Sequence, residues 1–399
     1  MDRAAAIDLD RLRRGRLERV RAELEKRDLA ACVLVDPVNI RYATGARNMQ
    51  VFHARNPARY LFVPAAGPVV LFEFAGCHHL AQGLATIDEV RPATTVSFAA
   101  AGPGVDDQAK RWAAEIADLV RAHGGGNRRV AIERVNYAAA AALAAHGLAL
   151  SDAQDPVERA RAIKLPDELT CIRASLGAAE QAVAGMLDAL RPGISENRLW
   201  ALLHKSVIEQ DGDYVETRLL SSGPRTNPWF QEAGRREIGN GDLVALDTDV
   251  VGRFGYYSDF SRTFFCGRGK PTGEQRKVYR LALEQVHANV ALIRPGMTFR
   301  ELSETAWPIP EAYVDSRYFV LAHGVGMTGE YPYVLHAQDF ASGYDGVIEP
   351  NMTLCVESYI GAKDGTEGVK FEEQVLVTES GVELLSRFPF DEALLAREI

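Results

Sequence analysis

Two short segments, 103 residues apart, constrain this chain most: LRPGIS (190–195) and IRPGMT (293–298). Each is a helix stop followed by a hydroxyl able to cap the next helix. A long helical pattern precedes each one. The first opens at Pro166-Asp167-Glu168, with proline at the first helical position and acids behind it. The second opens at Thr272, three residues before Gln275, which is capping-box spacing. A shorter helix follows each segment. Ser195 caps ENRLWALLHKSVIEQ, and Thr298 with Glu301 forms another capping box. Each helix pair then leads into strands: 242–251 with 256–265, and 353–360 with 368–378, each pair reading as a hairpin. The pattern predicts an internal duplication of αα-β units within a second domain, residues 161–399.

Residues 1–160 read as a separate mixed α/β domain. A charged amphipathic helix fits 10–28, and a buried strand fits 31–37. Apolar runs at 58–64 and 68–74 flank Gly67 as a hairpin, a helix fits 106–123, and a strand fits 128–134. The whole chain is therefore of the α/β (α+β) class, and 399 residues suit two cores. The content of 47% apolar and 25% charged residues is that of a soluble protein, and the net charge of −9 argues against nucleic acid and acidic membranes. The five cysteines are scattered and form no CxxC pair. With no apolar leader and no long apolar span, a cytoplasmic location is expected.

Acids stand on strands that should be buried. Asp247 and Asp249 lie in DLVALDTDVV, two residues apart, so strand alternation would point them the same way. Asp259 on the returning strand can face both. Burying three carboxylates on one apolar hairpin is prohibitive without cations. Glu357 follows Leu354, Cys355 and Val356. Glu372 and Glu373 face opposite sides by alternation, and spacing does not say which is the ligand. His323 ends an apolar run at a glycine turn. Five carboxylates and one imidazole suit two divalent metal ions, with oxygen-rich ligation favouring Mn, Fe or Co over a structural zinc. His78 and His79 have no further ligand nearby and read as surface residues.

In order along the chain, Lys164-Leu165-Pro166-Asp167-Glu168, Leu246-Asp247, Tyr257-Ser258-Asp259-Phe260, His323-Gly324-Val325-Gly326, Val356-Glu357 and Phe371-Glu372-Glu373 resemble the creatinase/prolidase/methionine-aminopeptidase superfamily, the pita-bread fold. The resemblance covers nearly the whole chain. It implies a creatinase-like N-terminal domain and a duplicated pita-bread catalytic domain. It also implies metal ligation by Asp247, Asp249, Asp259, His323, Glu357 and Glu372 (Glu372 rather than Glu373), with two divalent ions (Fe, Mn, Co or Zn). A homodimer and a small-molecule substrate follow from the same likeness. Members of the superfamily use the N-terminal domain to reach a catalytic site, which draws notice to the polar run Arg47–His53.

The departures from the peptidase pattern point to one branch. The step from Asp247 to Asp259 is one residue longer than in the peptidases, and Asp249 is an added carboxylate. Two peptidase histidines are missing, one upstream of the first aspartate and one beyond His323. The Asp-x-Asp pair, the run Ser222-Gly223-Pro224-Arg225-Thr226-Asn227-Pro228-Trp229, the HGVGM run and Tyr318, five residues before His323, instead resemble the DddP-type dimethylsulfoniopropionate lyases. That likeness implies β-elimination from a small zwitterionic carboxylate. It places Tyr318 in the catalytic set; by their own chemistry Arg225 suits a substrate carboxylate and Trp229 a cationic headgroup, the alternative for both being a loop packed on the core. The branch places its base at a position that is Gly329 here, so the adjacent Glu330 is the expected substitute. The alternative is an Xaa-Pro dipeptidase-like hydrolase in which Glu357 shuttles protons. A third reading is a non-enzymatic binding protein of the same fold.

Overall fold

The computed structural model describes residues 7–396. Along the chain, one compact unit gives way to another between Arg161 and Ala162.

In the first unit, β1 (Ala31–Leu34), β2 (Tyr60–Pro64), β3 (Val70–Glu73), β4 (Glu89–Pro92), β5 (Arg129–Ile132) and β6 (Ala149–Asp152) form one sheet in the order β4-β3-β2-β1-β5-β6. β1 runs parallel to β5 and antiparallel to β2, so the sheet is mixed. The expected hairpin is present, with Leu61 of β2 opposite Leu71 of β3. Every residue of β1, β2 and β3 is buried, as their unbroken apolar runs require. The helix Val105–His123 buries Ala109, Trp112, Ala113, Ile116, Ala117 and Val120, a stripe with helical spacing. Trp112 packs there with Phe62 and Phe72. The N-terminal helix spans Leu9–Lys26 and is capped by Asp8, which accepts from the Arg11 N–H at 2.9 Å. Within the polar run Arg47–His53, residues Arg47, Met49, Val51 and Phe52 are exposed. Asn48, Gln50 and His53 are buried, and Asn48 donates at 3.0 Å to Glu73, which pairs with Arg59 at 2.9 Å.

The second unit carries the repeat. Helices Pro166–Ala189 and Gly273–Leu292 stop at the two RPG segments, and helices Glu196–Glu209 and Phe299–Thr305 follow. The chain paths after the stops match bond for bond. Gly193 N–H donates to the Ile238 carbonyl at 2.9 Å and Glu196 N–H to the Arg236 carbonyl at 3.0 Å. Gly296 N–H donates to the Ile348 carbonyl at 2.8 Å and Phe299 N–H to the Gly346 carbonyl at 3.0 Å. Both glycines are left-handed, at φ +88° and +83°, a conformation other residues adopt at a cost. Ser195 and Thr298 both cap the next helix, accepting from Arg198 and Glu301 at 3.3 and 3.0 Å. The box expected at Thr298 is half formed, because the Glu301 carboxylate binds Arg294 instead. At Thr272 both halves are present, at 3.1 and 2.8 Å.

The strands also repeat. β8 (Leu220–Ser222), β9 (Leu243–Asp247) and β12 (Ser261–Phe265) form one small sheet; β7 (Tyr214–Val215), β10 (Val250–Val251) and β11 (Tyr257–Ser258) form another. β13 (Ala322–Val325), β14 (Gly329–Val334), β15 (Thr353–Ile360), β16 (Val369–Thr378) and β17 (Gly381–Leu384) form a third sheet in the order β14-β13-β15-β16-β17. Ser261 stands opposite Asp247 in the first repeat, and Glu372 opposite Glu357 in the second. The hairpin expected over 242–265 is paired in two pieces that belong to different sheets. It breaks at Asp249, whose φ is +41°. Asp247 and Asp249 are thus not alternate residues of one strand; a backbone kink brings them together. Gly193→Ala and Gly296→Ala should each destabilise the protein by about 1 kcal/mol, measured by urea unfolding. Matching losses at the two sites are the expected outcome of a shared conformation.

Candidate metal centre

All six expected ligands converge. Asp247, Asp249 and Asp259 place oxygens within 4.8 Å of one another, and Asp259 does the same with His323, Glu372 and Cys355. His323 Nε2 lies 3.7 Å from Asp259 Oδ2, 3.6 Å from Glu357 Oε1 and 3.4 Å from Glu372 Oε1. Its Nδ1 is 3.0 Å from the Gly324 carbonyl oxygen. A proton on Nδ1 satisfies that carbonyl and turns the Nε2 lone pair toward the acids, the tautomer a metal ligand needs. Alternation on β16 resolves the two glutamates. Glu373 turns away to Arg262 at 2.9 Å, and Glu372 faces the cluster.

Neighbours hold the carboxylates of Asp247, Asp249, Glu357 and Glu372, and the backbone of Asp259. Ser261 Oγ donates to Asp247 Oδ1 at 2.8 Å and stands 2.9 Å from Glu372 Oε2. Asp249 accepts from Tyr257 Oη at 2.7 Å and also from Thr217. The Asp259 N–H donates to Gln374 at 3.1 Å. Lys370 Nζ donates to Glu357 Oε2 at 2.6 Å. Burial pushes Asp247 up to about 6, with Lys370 working against it. Asp249 and Asp259 rise well above the carboxylate range, through burial first and neighbouring acids second. Burial opposes charge on His323, but Glu357 and Glu372 outweigh it and hold the imidazole well above its ordinary value. These shifts express acids crowded without a sufficient counter-charge. Asp259 Oδ1, Glu357 Oε1 and Glu372 Oε1 are buried and accept no hydrogen bond. Oxygens so placed suit divalent cations, so the donor set fits a metal centre.

A cleft of about 630 Å³ leads to this cluster, and Asp247, Asp249, Asp259, His323 and Glu357 line it. Phe230, Tyr318, Phe319 and Tyr333 line it too. Phe230 and Phe319 are 52% and 51% exposed and stand at the mouth with the exposed Glu216, Arg218 and Glu232, whereas Asp247, Asp249, Asp259, His323 and Glu357 are 1–7% exposed and lie in the depth with Tyr257 and Tyr318. Ring centroids lie 5.3 Å apart for Phe230 and Tyr318, 4.9 Å for Tyr318 and Phe319, and 6.3 Å for Phe319 and Tyr333. Phe230 has φ +69°. A bulky residue held there is strained, and such strain gathers at functional sites.

Three expected residues stand elsewhere. Glu330 is buried and pairs with Lys164 at 2.6 Å; Gly329, not Glu330, lines the cleft. Neighbours on strand β14 point to opposite faces, which turns Glu330 away from a cleft that residue 329 borders. Arg225 binds the Glu196 carboxylate and, at 2.7 Å, the Glu232 carbonyl. The basic side chain that lines the cleft with His323 is Arg218. Trp229 is buried among Ala245, Tyr318, Val320 and Tyr359, and the cation it faces is Lys370, 5.9 Å from its ring. Phe230, the next residue, takes the mouth position. Tyr318 lines the cleft as expected. Sequence reasoning misses Lys370, Ser261, Thr217, Tyr257 and Cys355. Lys370 is within its reach, since alternation on β16 puts that residue on the face of Glu372.

The chain belongs to metallopeptidase family M24, whose model matches residues 170–379; the creatinase/prolidase N-terminal domain matches residues 16–163. Among individual relatives, it is 38% identical to the dimethylsulfoniopropionate lyase DddP of Roseovarius nubinhibens, over 98% of this chain and 90% of that one. It is 36% identical to the DddP of Roseobacter denitrificans, over 98% and 89%. The fold matches that of an Xaa-Pro dipeptidase from Bacillus anthracis with a TM-score of 0.75 and 22% identity, covering 95% of this chain and 98% of that one.

Because Glu330 is one half of a buried ion pair, Glu330→Gln should destabilise the protein by about 3–5 kcal/mol. Turnover per folded molecule should stay within about threefold, a factor worth under 1 kcal/mol of barrier. Chemical unfolding and active-site-normalised rates check both. A loss of turnover as deep as that of Asp259→Ala, with stability intact, would return Glu330 to the site.

Proposed function

We propose that this chain is a metal-dependent lyase that eliminates a sulfide from a small sulfonium carboxylate, with dimethylsulfoniopropionate as the lead substrate. The observation that carries the reading is a cleft with Asp247, Asp249, Asp259, His323 and Glu357 buried in its depth and the exposed rings of Phe230 and Phe319, beside Glu216 and Glu232, at its mouth. The relatives named above support it. Two ligand groups share Asp259, which supports two divalent ions, with Mn, Fe or Co preferred by the oxygen-rich set and Zn also admissible. When bound, such ions hold the substrate carboxylate and stabilise negative charge developing on it.

The chain's residues supply the rest. Asp247, Asp249, Asp259, His323, Glu357 and Glu372 are the ligands. Phe230, Tyr318, Phe319 and Tyr333 take the cationic end of the substrate by cation–π attraction. A base removes the proton from the carbon beside the carboxylate, that electron pair forms the C=C bond, and the C–S pair leaves with sulfur. The products are acrylate and neutral dimethyl sulfide. The departing group sheds its charge and needs no acid. We assign the proton transfer to Tyr333 acting as its phenolate, the phenol proton having first passed to water, so that the substrate's proton re-forms the phenol. A Cβ at position 329 would stand 3.4 Å from its hydroxyl, in ordinary contact, so Tyr333 Oη borders the position that Gly329 holds. The Tyr333 ring stacks on His323, with centroids 5.6 Å apart, and both line the cleft. A homodimer is inferred from the family resemblance. A cytoplasmic setting is inferred from composition, and the five free cysteines support a reducing compartment.

The test offers metal-loaded protein dimethylsulfoniopropionate, with headspace sulfide detection, and Gly-Pro, with amine detection. Sulfide release is expected; proline release without sulfide would overturn the lyase reading in favour of the hydrolase. Phe230→Ala should raise KM for the cationic substrate by about tenfold. Tyr333→Phe should lower kcat by about 10²-fold with KM little changed; an unchanged kcat would remove Tyr333 from the proton transfer.

A further inference from the structure

Lys370 is fully buried and stands behind the ligand cluster. Its Nζ lies 2.6 Å from Glu357 Oε2 and from Ser261 Oγ, 3.3 Å from Glu372 Oε2 and 3.5 Å from Asp247 Oδ2. The rings of Tyr318 and Trp229 cover it, with centroids at 4.6 and 5.9 Å. It does not line the cleft. The oxygens it binds on the two glutamates are not the ones that face His323; those are Oε1 of each, at 3.6 and 3.4 Å. Each glutamate is therefore pinned at its outer oxygen while its inner oxygen points into the cluster.

The repeat gives this lysine a particular place. Ser261 stands opposite Asp247 and Glu372 opposite Glu357. Asp259 precedes Ser261 by two residues, and Lys370 precedes Glu372 by two. Lys370 thus holds in the second half the sequence position that Asp259 holds in the first. One half contributes a carboxylate for cations to bind, and the other contributes a cation for carboxylates to bind.

We propose that Lys370 is a positioning residue that acts as a resident cation. It compensates part of the buried negative charge of Asp247, Glu357 and Glu372, so the metal-free chain folds with its ligand cluster already formed. The physical ground is the cost of buried like charges without a partner. A protein relying on metal ions alone for that compensation would need them in order to fold. Lys370 makes folding and metal loading separable. This inference rests on the metal-centre reading above, and its test distinguishes the failure of either.

The full chain and its Lys370→Met and Lys370→Arg variants are stripped with chelator, and each is melted with and without added Mn²⁺. Without metal, Lys370→Met should melt about 10 °C or more below the unsubstituted protein, or be recovered unfolded. Mn²⁺ should close most of that gap, and Lys370→Arg, which keeps the charge, should stay near the unsubstituted protein in both states. A metal-free Lys370→Met melting within about 2 °C of the unsubstituted protein would overturn the proposal. So would an equal loss with and without Mn²⁺, including failure to fold in both, since that is a packing effect. A Lys370→Arg as unstable without metal as Lys370→Met would overturn it too. Absence of any Mn²⁺ effect on the unsubstituted protein would instead strike at the metal-centre reading.

Discussion

Five carboxylates are buried around one imidazole in the second unit, and much of its architecture makes sense as a response to their mutual repulsion. Carboxylates out of water and close together resist ionisation, and Asp249 and Asp259 are driven well above their usual range by burial and by their neighbours. Ser261, Tyr257, Thr217 and Lys370 each hold one or more of these acids. Once they are held, the inner oxygens left without hydrogen bonds define where cations fit. The repeated αα-β units supply symmetry-matched strands that bring acids from β9 and β15 to one place. The kink at Asp249 adds a carboxylate that regular strand geometry would not deliver there.

Much of this is legible in the residues, for reasons that also explain what is not. Helix stops and caps are local chemistry, so the RPG segments and their hydroxyls are enough to mark the repeat. Acids on otherwise apolar strands announce the cluster, because burial makes them costly wherever the strands pack. The direction of loop side chains is not local. Arg225 and Trp229 lie in the correct segment, yet one is held by Glu196 and the other faces Lys370. Phe230 stands at the cleft from a left-handed backbone position, which no side-chain pattern announces. Glu330 falls outside the site for a simpler reason. Alternation on β14 turns a residue adjacent to a cleft-lining position to the other face, which follows once Gly329–Val334 is known to be a strand.

The mouth of the cleft separates this chain from what its fold alone suggests. Structures that share the fold at about a fifth sequence identity include dipeptidases, and fold likeness at that level says nothing about chemistry. The exposed faces of Phe230 and Phe319, with Tyr318 and Tyr333 beside them, offer a cation quadrupole attraction, and the exposed carboxylates of Glu216 and Glu232 line the same cleft. A small onium carboxylate meets both halves of such a cleft at once, its positive end at the rings and its carboxylate toward the depth.

In the proposed reading the acid cluster holds two cations that share Asp259. Anomalous diffraction from crystals grown with Mn²⁺ tests it directly. Two peaks are expected, one among Asp247, Asp249 and Asp259 and the other among Asp259, His323 and Glu372, separated by roughly 3.5–4 Å. A single peak, peaks elsewhere in the molecule, or none within the cluster would contradict the two-metal centre and the lyase chemistry built on it.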